Sequence, residues 1–211
     1  MTALKSTVLA ALAAGLLAVT PAQASLVLGN SSFGTNTLVY DTSTGLTWLK
    51  TTVTSGMSYN TVASGFGVGG TYHGYRYATV AEAQSLFVDF GVPSNEMDGT
   101  VHANIAGAVS SMLSMLGQGD TVNLTAETYA LTGDSVSAGT HQLLYYATVN
   151  NGAGGFVIGT VPGTIGDTQT NANVWGPVTS LLVQDVPEPT PLAILGVGLV
   201  GLAGFKARSR R

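Results

Sequence analysis

Alternating hydrophobic and polar side chains predict short β-strands early in the chain. Residues 37–40 and 46–49 carry this pattern, and the sequence DTSTG between them supplies the Asp and Gly that favour a tight turn. Residues 74–78 alternate aromatic side chains with others in a similar way. We therefore expect a β-hairpin over 37–49 and a further strand at 74–78.

A capping box marks the start of the best-defined helix. In the sequence TVAE at 79–82, the Thr79 hydroxyl can accept from the backbone N–H of Glu82, and the Glu82 carboxylate can accept from that of Thr79. Hydrophobic residues at helical spacing follow, and Pro93 stops the helix. These features predict a helix over 80–90 and a structural role for Glu82.

The remaining pattern predicts two more helices and then a region of strands. Helical periodicity covers 58–66 and ends at Gly67; it returns over 101–116 and ends at Gly117. The Gly-rich segment 150–155 is expected to join two later strands as a hairpin loop. The class is therefore α+β, with two to three short helices early and a twisted antiparallel sheet. The later strands are predicted at 121–124, 127–131, 142–149, 156–160 and 181–184.

Residues 1–24 have the three parts of a secretory signal peptide. Lys5 provides positive charge, an apolar stretch follows over 8–19, and Ala-Gln-Ala at 22–24 is a small-x-small cleavage site. We expect the export translocon to move the chain across the inner membrane and signal peptidase to cleave it before Ser25. A buried N-terminal helix is the alternative interpretation.

The other end of the sequence has a stop-transfer pattern. The sequence VPEPT at 186–190 precedes an apolar run over 192–205 and a basic tail at 206–211. The run has 14 residues, fewer than the roughly 20 that cross a membrane core, but a snorkelling Lys206 extends its reach. We expect a transmembrane helix over 191–205, with the body, residues 25–185, outside the cytoplasm. A core helix with a basic surface tail is the alternative.

These three parts together resemble the PEP-CTERM sorting signal of exported proteins in Gram-negative bacteria that make exopolysaccharide. In that family a membrane-embedded exosortase is expected to recognise the Pro-Glu-Pro motif and to remove the helix. The resemblance implies an exosortase substrate that is anchored in the membrane transiently and then sorted to the cell surface or the extracellular matrix. The residues of the implied sorting motif are Val186, Pro187, Glu188 and Pro189.

The charge of the body excludes one class of partner. Its only basic residues are Lys50 and Arg76, and they face ten acidic residues. Such a balance repels phosphate backbones, so nucleic acids are excluded as partners. The chain also has no cysteine, which excludes a disulfide scaffold and a Cys nucleophile. The ten acidic residues are Asp41, Glu82, Asp89, Glu96, Asp98, Asp120, Glu127, Asp134, Asp167 and Asp185.

A second resemblance rests on the motifs DTSTGLTWL at 41–49, YNTV at 59–62 and GYRYAT at 74–79. They are similar to a bacterial extracellular domain, found at the C-terminus of collagen-like adhesins, that is related to the C-type-lectin-like fold. Tyr75 and Ala78 stand where that family usually has Trp and Pro. The resemblance implies a C-type-lectin-like body, but the Ca²⁺-binding triplets of true sugar-binding lectins are absent from it. The scaffold residues it implies are Trp48, Arg76, Thr79 and Glu82.

The sequence carries no recognisable catalytic or metal-binding motif. His73, His102 and His141 are too widely spaced for a local metal-binding motif. The sequence GFGVGG at 65–70 matches a dinucleotide fingerprint, but it follows a predicted helix, so we interpret it as a loop. The acidic segment 96–98 is interpreted as a solvated loop, with Ca²⁺ binding as the alternative. We therefore expect neither a cofactor nor a metal.

Aromatic side chains are the candidate ligand contacts. Tyr72, Tyr75 and Tyr77 fall in one short segment, and Trp175 ends the Gly-rich region 134–175. Sugar sites combine aromatic faces with a few polar groups, although core packing is the favoured role for the tyrosines.

These features favour an exported, non-enzymatic protein of the cell surface or biofilm matrix that contacts exopolysaccharide. The alternative is a secreted polysaccharide-acting hydrolase that uses a carboxylate pair, drawn from Asp98, Glu127, Asp134 and Asp167. A purely structural matrix protein without a defined ligand is a third interpretation.

Overall fold

Two β-sheets, three α-helices and two short 3₁₀-helices, Thr51–Thr54 and Ser94–Glu96, make up the described part of the protein. A computed structural model describes residues 25–122, 125–149, 155–160, 165–170 and 176–185. The helices are α1 (Tyr59–Ala63), α2 (Val80–Asp89) and α3 (Ala106–Met115). The strands are β1 (Leu26–Ser31), β2 (Gly34–Asp41), β3 (Leu46–Leu49), β4 (Arg76–Tyr77), β5 (Val101–His102), β6 (Asp120–Val122), β7 (Thr125–Ser137), β8 (Thr140–Val149), β9 (Gly155–Thr160), β10 (Ile165–Gly166), β11 (Val178–Ser180) and β12 (Leu182–Asp185).

The first sheet joins the two ends of the body. Its strand order is β1-β2-β3-β12-β4, so the last strand lies between two early ones. The predicted hairpin of β2 and β3 is confirmed, with Leu38 opposite Leu49. In its turn, the Asp41 carboxylate accepts from the backbone N–H and hydroxyl of Ser43 at 2.9 and 2.7 Å. Gly45 adopts a φ of 69°, a left-handed conformation that glycine reaches without steric cost.

The second sheet has the order β11-β7-β8-β9-β5, with β6 on β7 and β10 on β8. Only the pair of β11 and β7 is parallel among these described strands. A single residue, Leu181, separates β11 from β12, so the chain passes from the second sheet to the first within one residue. The sequence predicted one antiparallel sheet, whereas the structure divides the strands between two.

The main core lies where α2 and α3 pack against the strands. α2 buries Ala83, Leu86 and Phe87, which its helical periodicity places on one face. The ring of Phe87 meets Tyr146 of β8 edge-on, with centroids 6.0 Å apart. Trp48 of β3 is fully buried in the same cluster. The predicted inward face of the 80–90 helix therefore forms the centre of the fold.

The capping box of α2 is confirmed. Glu82 N–H donates to the Thr79 hydroxyl at 3.2 Å, and Thr79 N–H donates to a Glu82 carboxylate oxygen at 2.8 Å. The helix ends at Asp89, one residue before the predicted end, and Gly91 follows with a φ of 98°. Both ends of this helix are therefore encoded by adjacent residues.

The prediction of a helix over 101–116 was wrong in its first five residues. Val101 and His102 form β5, where they pair with Val157 and Phe156 of β9. Gly99 N–H also donates to the carbonyl of Ile158 at 2.9 Å, which extends this contact. Pairing with β9 satisfies backbone groups that the sequence pattern alone assigned to a helix, so α3 begins only at Ala106.

Other predicted boundaries also change. α1 ends at Ala63 rather than at residue 66, because the N–H groups of Gly65 and Phe66 bond three residues back and close a tighter turn. The strand predicted at 74–78 is only two residues long. Strands β1, β10 and β11 were not predicted, and the strands β1 to β3 precede every helix. The mixed α+β class is confirmed, but the expected grouping of helices early and strands late holds only in part.

Several predictions fall outside the described residues. These are the signal peptide over 1–24, the 150–154 part of the hairpin loop, and the sorting motif and transmembrane helix over 186–205. Strands β8 and β9, which that loop joins, pair in antiparallel register as expected. None of the helices in the described part of the chain has the length and hydrophobicity that crossing a lipid bilayer requires.

Candidate functional site

Three polar side chains meet where β7, β8 and β10 lie side by side. Ser135 of β7 is the register partner of His141 of β8, and Ile165 of β10 pairs with His141 on its other side. The Ser135 hydroxyl lies 3.3 Å from His141 Nε2. His141 Nδ1 lies 2.7 Å from Oδ1 of Asp167, which follows β10. We call these residues the Ser135–His141–Asp167 cluster.

The hydrogen bonds assign a role to each ring nitrogen. An ionised carboxylate only accepts, so His141 Nδ1–H donates to Asp167. In the neutral ring Nε2 then carries a free lone pair, and the Ser135 hydroxyl is the group positioned to donate to it. The arrangement orders a carboxylate, an imidazole and a hydroxyl in the sense required to activate the hydroxyl oxygen.

Aromatic rings hold the imidazole in place. The Tyr59 ring stacks on His141 with centroids 3.5 Å apart and an interplanar angle of 9°. Tyr59 also stacks on Tyr77 at 4.2 Å and 6°, and the Tyr77 hydroxyl donates to the Tyr59 carbonyl at 3.1 Å. Only 8% of His141 is exposed, whereas Ser135 is exposed. The ring therefore has one face covered and one edge directed at a surface hydroxyl.

Backbone contacts fix the strand that carries Ser135. Gly133 N–H donates to the Ala78 carbonyl at 2.8 Å, and Val80 N–H donates to the Asp134 carboxylate at 2.5 Å. Val80 is the first residue of α2, so Asp134 adds a second carboxylate to the helix N-terminus already capped by Glu82. The end of β7 is thereby tied to the best-defined helix of the fold.

Asp167 is held in the same way from the opposite side. Its N–H donates to the carbonyl of Gly139, and its carbonyl accepts from the N–H of Asn60 in α1, each at 3.0 Å. The carboxylate that orients His141 is thus fixed to both the β7–β8 turn and the helix that carries Tyr59.

A second polar network surrounds Arg76 of β4. Its guanidinium donates to both carboxylate oxygens of Glu82, at 2.9 and 2.7 Å, and to Asp185 at 3.1 Å. The hydrogen bonds from Arg76, together with those from Thr79, lower the pKa of Glu82 to about 2 although burial opposes this shift. These contacts give Arg76, Thr79 and Glu82 structural functions.

The predicted aromatic contacts divide into three groups. Tyr72 and Tyr77 are buried, and Tyr72 stacks on Phe33 and donates to the Met57 sulfur at 3.2 Å. Tyr75 is half-buried at the edge of the same cluster. Trp175 lies outside the described residues. Tyr72 and Tyr77 therefore belong to the core, the role that the sequence favoured.

The four carboxylates of the predicted hydrolase alternative lie in different surroundings. Asp98 binds Thr100 and His102, Glu127 accepts from Tyr129, Asp134 caps α2, and Asp167 binds His141. Among the described residues no cluster of three or more His, Asp or Glu side chains is placed to hold a metal ion. Of the four, Asp167 is the one whose carboxylate contacts the ring of His141, and the hydrolase alternative stays a prediction.

The structure also locates the glycine-rich match, the acidic segment 96–98 and His73. Gly65 and Gly70 lie in a turn after α1, where the Gly65 carbonyl accepts from Tyr72 N–H, so the G-x-G-x-x-G match is a loop as predicted. In the acidic segment, Glu96 accepts from the side chain of Asn104 at 2.7 and 2.9 Å. His73 lies exposed in the turn before β4.

One carboxylate pair was not predicted. The Ser43 hydroxyl contacts Asp41 at 2.7 Å and Asp89 at 2.5 Å. Burial opposes ionisation of Asp41, but hydrogen bonds from Thr44 and Ser43 outweigh it and lower the Asp41 pKa. Burial, and then the neighbouring Asp41, raise the pKa of Asp89. The pair joins the β2–β3 turn to the end of α2, a contact between segments far apart in sequence.

Comparison with known proteins identifies one segment. Residues 185–211 match the family model described as the PEP-CTERM protein-sorting motif. No curated protein and no solved structure matches the chain. The C-type-lectin-like interpretation of the body therefore stays a prediction. Residues 185–211 carry a PEP-CTERM sorting motif, which indicates an exported protein with a transient C-terminal membrane anchor that an exosortase removes.

Proposed function

We propose that the body, residues 25–185, is released outside the cytoplasm and associates with extracellular polysaccharide at the cell surface or in the biofilm matrix. The observation that carries this proposal is the match to the sorting motif over 185–211, because this motif indicates export and processing by an exosortase. The chemistry of the body supplies the remaining support.

The junction between fold and motif is suited to release. β12 ends at Asp185, the residue at which the motif begins. The buried residues Leu182 and Val183 lie within β12, upstream of the motif. Cleavage within the motif therefore leaves every described strand and helix on the released side.

The surface charge favours a neutral partner. The body has ten Asp and Glu residues but only two Lys or Arg residues, Lys50 and Arg76. Arg76 already forms ion pairs with Glu82 and Asp185. A surface with net negative charge repels polyanions, whereas it can contact uncharged sugars without any electrostatic repulsion. We therefore propose a neutral or weakly charged polysaccharide as the contact.

The release step is tested by changing the motif in the producing cells. Replacing Pro187, Glu188 and Pro189 together with alanine is expected to leave the chain at its unprocessed C-terminal mass in the membrane fraction. The matched control is Pro191→Ala, a single proline change just beyond the triplet. Intact-mass measurement of each variant reports its C-terminus. Identical trimming of the triple variant and the parent would contradict the proposal.

Association with the matrix is tested on the released protein. We expect it to co-sediment with polysaccharide from the producing cells at neutral pH, and to remain bound in moderate salt because the contact is not ionic. An unrelated acidic protein of similar size is the control. Equal amounts of both proteins in the pellet would refute the polysaccharide half of the proposal and leave the sorting half standing.

A further inference from the structure

We propose that Ser135, His141 and Asp167 form a nucleophilic catalytic site that hydrolyses acyl esters. The three residues occupy the positions of nucleophile, general base and orienting carboxylate. Such a site is defined by geometry and roles rather than by sequence order or a local motif. The activity extends beyond delivery to the matrix and replaces the sequence-based expectation of a body without catalysis.

Strand pairing places the nucleophile and the base next to each other. Ser135 and His141 are directly opposite on antiparallel strands, so their side chains project from the same face. β10 pairs with β8 at the same residue and brings Asp167 to the other edge of the ring. The register is irregular on both sides of Ser135, between Leu131 and Ser135 and between Ser135 and Ser137, so the pair lies in a bulged part of the ladder, where bulges commonly redirect a side chain.

The use of both ring nitrogens distinguishes His141 from His102. His102 presents the same nitrogen, Nε2, to Asp98 at 3.0 Å and to Thr100 at 2.9 Å. Its contacts close a local surface loop and leave no nitrogen aligned between a carboxylate and a hydroxyl. His141 instead receives the carboxylate at Nδ1 and the hydroxyl at Nε2, which is the polarity that general-base catalysis requires.

The serine of the cluster is exposed and the other two residues are largely buried, so a substrate in solution can reach the serine. The His141 and Asp167 side chains are 11% and 20% exposed, whereas Ser135 is open to solvent. Tyr59 covers one face of the imidazole. The Nε2–Oγ separation of 3.3 Å is longer than a tight hydrogen bond, as is common before substrate binds.

The reaction balances without a cofactor. As Ser135 Oγ bonds to the ester carbonyl carbon, its proton passes to His141 Nε2, and Asp167 stabilises the resulting imidazolium. Cleavage of the carbon–alkoxy bond releases the alcohol, which takes the proton from Nε2 and leaves an acyl-serine. Water then attacks this carbonyl and passes a proton to Nε2, and the proton returns to Oγ as the carboxylic acid leaves.

The surroundings of Ser135 indicate the substrate class. Ser135 lines neither the cavity beside α2 nor the one beside the 57–72 segment. An exposed serine on a strand is suited to a small acyl group that projects from a larger molecule. This part of the inference rests on the proposed function, because polysaccharide at the destination supplies such groups as O-acyl esters of sugar hydroxyls.

The catalytic step is tested on the full-length protein in detergent, with p-nitrophenyl acetate as substrate and a fluorophosphonate as covalent probe. We expect hydrolysis by the parent protein, and a decrease of about 100-fold or more in Ser135→Ala and in His141→Gln. Ser137→Ala, on the same strand two residues away, is expected to stay within about twofold. Peptide mass spectrometry should locate the fluorophosphonate adduct on Ser135.

Three results would overturn the catalytic site. They are no hydrolysis by the parent above the protein-free blank, equal rates in the parent and Ser135→Ala, and an adduct at another residue. Because Ser135 is exposed, its alanine variant is expected to retain the parent's near-UV circular dichroism, so this comparison stands even where His141→Gln fails to fold.

A separate measurement, the release of acetate, tests the substrate class. Release of acetate from O-acetylated matrix polysaccharide is expected from the parent and not from Ser135→Ala. Hydrolysis of p-nitrophenyl acetate without acetate release would refute the polysaccharide as substrate and retain the site. Ser135→Ala and the parent should both co-sediment with polysaccharide. Failure of both to bind would count against the proposed function and not against the catalytic cluster.

Discussion

Arg76 connects two carboxylates from distant parts of the body. Its bidentate pair with Glu82 fixes the start of α2, and its contact with Asp185 fixes the end of β12. A planar guanidinium meets a carboxylate through two parallel hydrogen bonds, a geometry that lysine cannot reproduce. At this scale, the sequence predicted the bonds between Thr79 and Glu82, since the two residues are only three positions apart. It did not predict the contact with Asp185, which depends on strand pairing.

The Glu82 carboxylate gives a pH-dependent contribution to stability. Its pKa falls from an ordinary value of 4.5 to about 2 on folding. The stabilisation is therefore complete above about pH 4.5 and is lost as the pH decreases towards 2. We expect Glu82→Gln to melt below the parent at pH 6, with the difference in Tm shrinking by pH 3. Thermal unfolding at several pH values measures this.

A matched control for that measurement is Glu96→Gln, which changes another carboxylate without touching Arg76. Its difference from the parent should not follow the same pH course. A Glu82→Gln difference that stayed constant from pH 6 to pH 3 would contradict the role assigned to Glu82.

Elements that are encoded locally were predicted most accurately. The β2–β3 hairpin and α2 follow from turn and cap residues that are neighbours in the chain. The segment 101–105 was misassigned because its hydrophobic spacing suits a helix, while β9 offers a pairing that no local pattern reveals. The Ser135–His141–Asp167 cluster was missed for the same reason, since a strand register brings its members together.

Two glycines give opposite predictions for one substitution. Gly45 has a φ of 69° and open space around its Cα, so Gly45→Ala introduces backbone strain alone and is expected to cost about 1 kcal/mol. Gly107 also has open space but lies in α3 with ordinary helical geometry. Gly107→Ala is expected to stabilise the protein by roughly 0.5 kcal/mol.

Chemical denaturation of the two variants measures both changes in the free energy of unfolding. The difference in sign is the decisive result, because each change adds the same methyl group. A stabilising Gly45→Ala would show that the β2–β3 turn does not require a left-handed residue.

At the scale of the whole molecule, the position of β12 determines where the body ends. The strand lies between β3 and β4 and buries Leu182 and Val183. The sequence predicted a strand here but not that it pairs with β3 and β4. The hydrophobic pattern of one segment does not indicate which distant strand it pairs with. The division of the strands into two sheets was unpredicted for the same reason.

Truncation tests this boundary. A chain that ends at residue 185 is expected to keep the parent's near-UV circular dichroism and cooperative melting. A chain that ends at residue 180 loses the three buried side chains of Leu181, Leu182 and Val183, each contributing roughly 1.5–3 kcal/mol. It also loses the strand that pairs with β4 and with one edge of β3. We expect it not to fold, given a total stability of about 5–15 kcal/mol. A cooperative transition in the shorter chain would contradict the central role of β12.

The same strand sets the order of events during biogenesis. The first sheet lacks the strand between β3 and β4 until the final residues of the body are available, so this sheet cannot be completed before the whole body has been synthesised. The strand that completes the sheet ends where the sorting motif of residues 185–211 begins. We therefore expect the body to reach its folded state only once the sorting segment is also being made, and removal of that segment to follow folding.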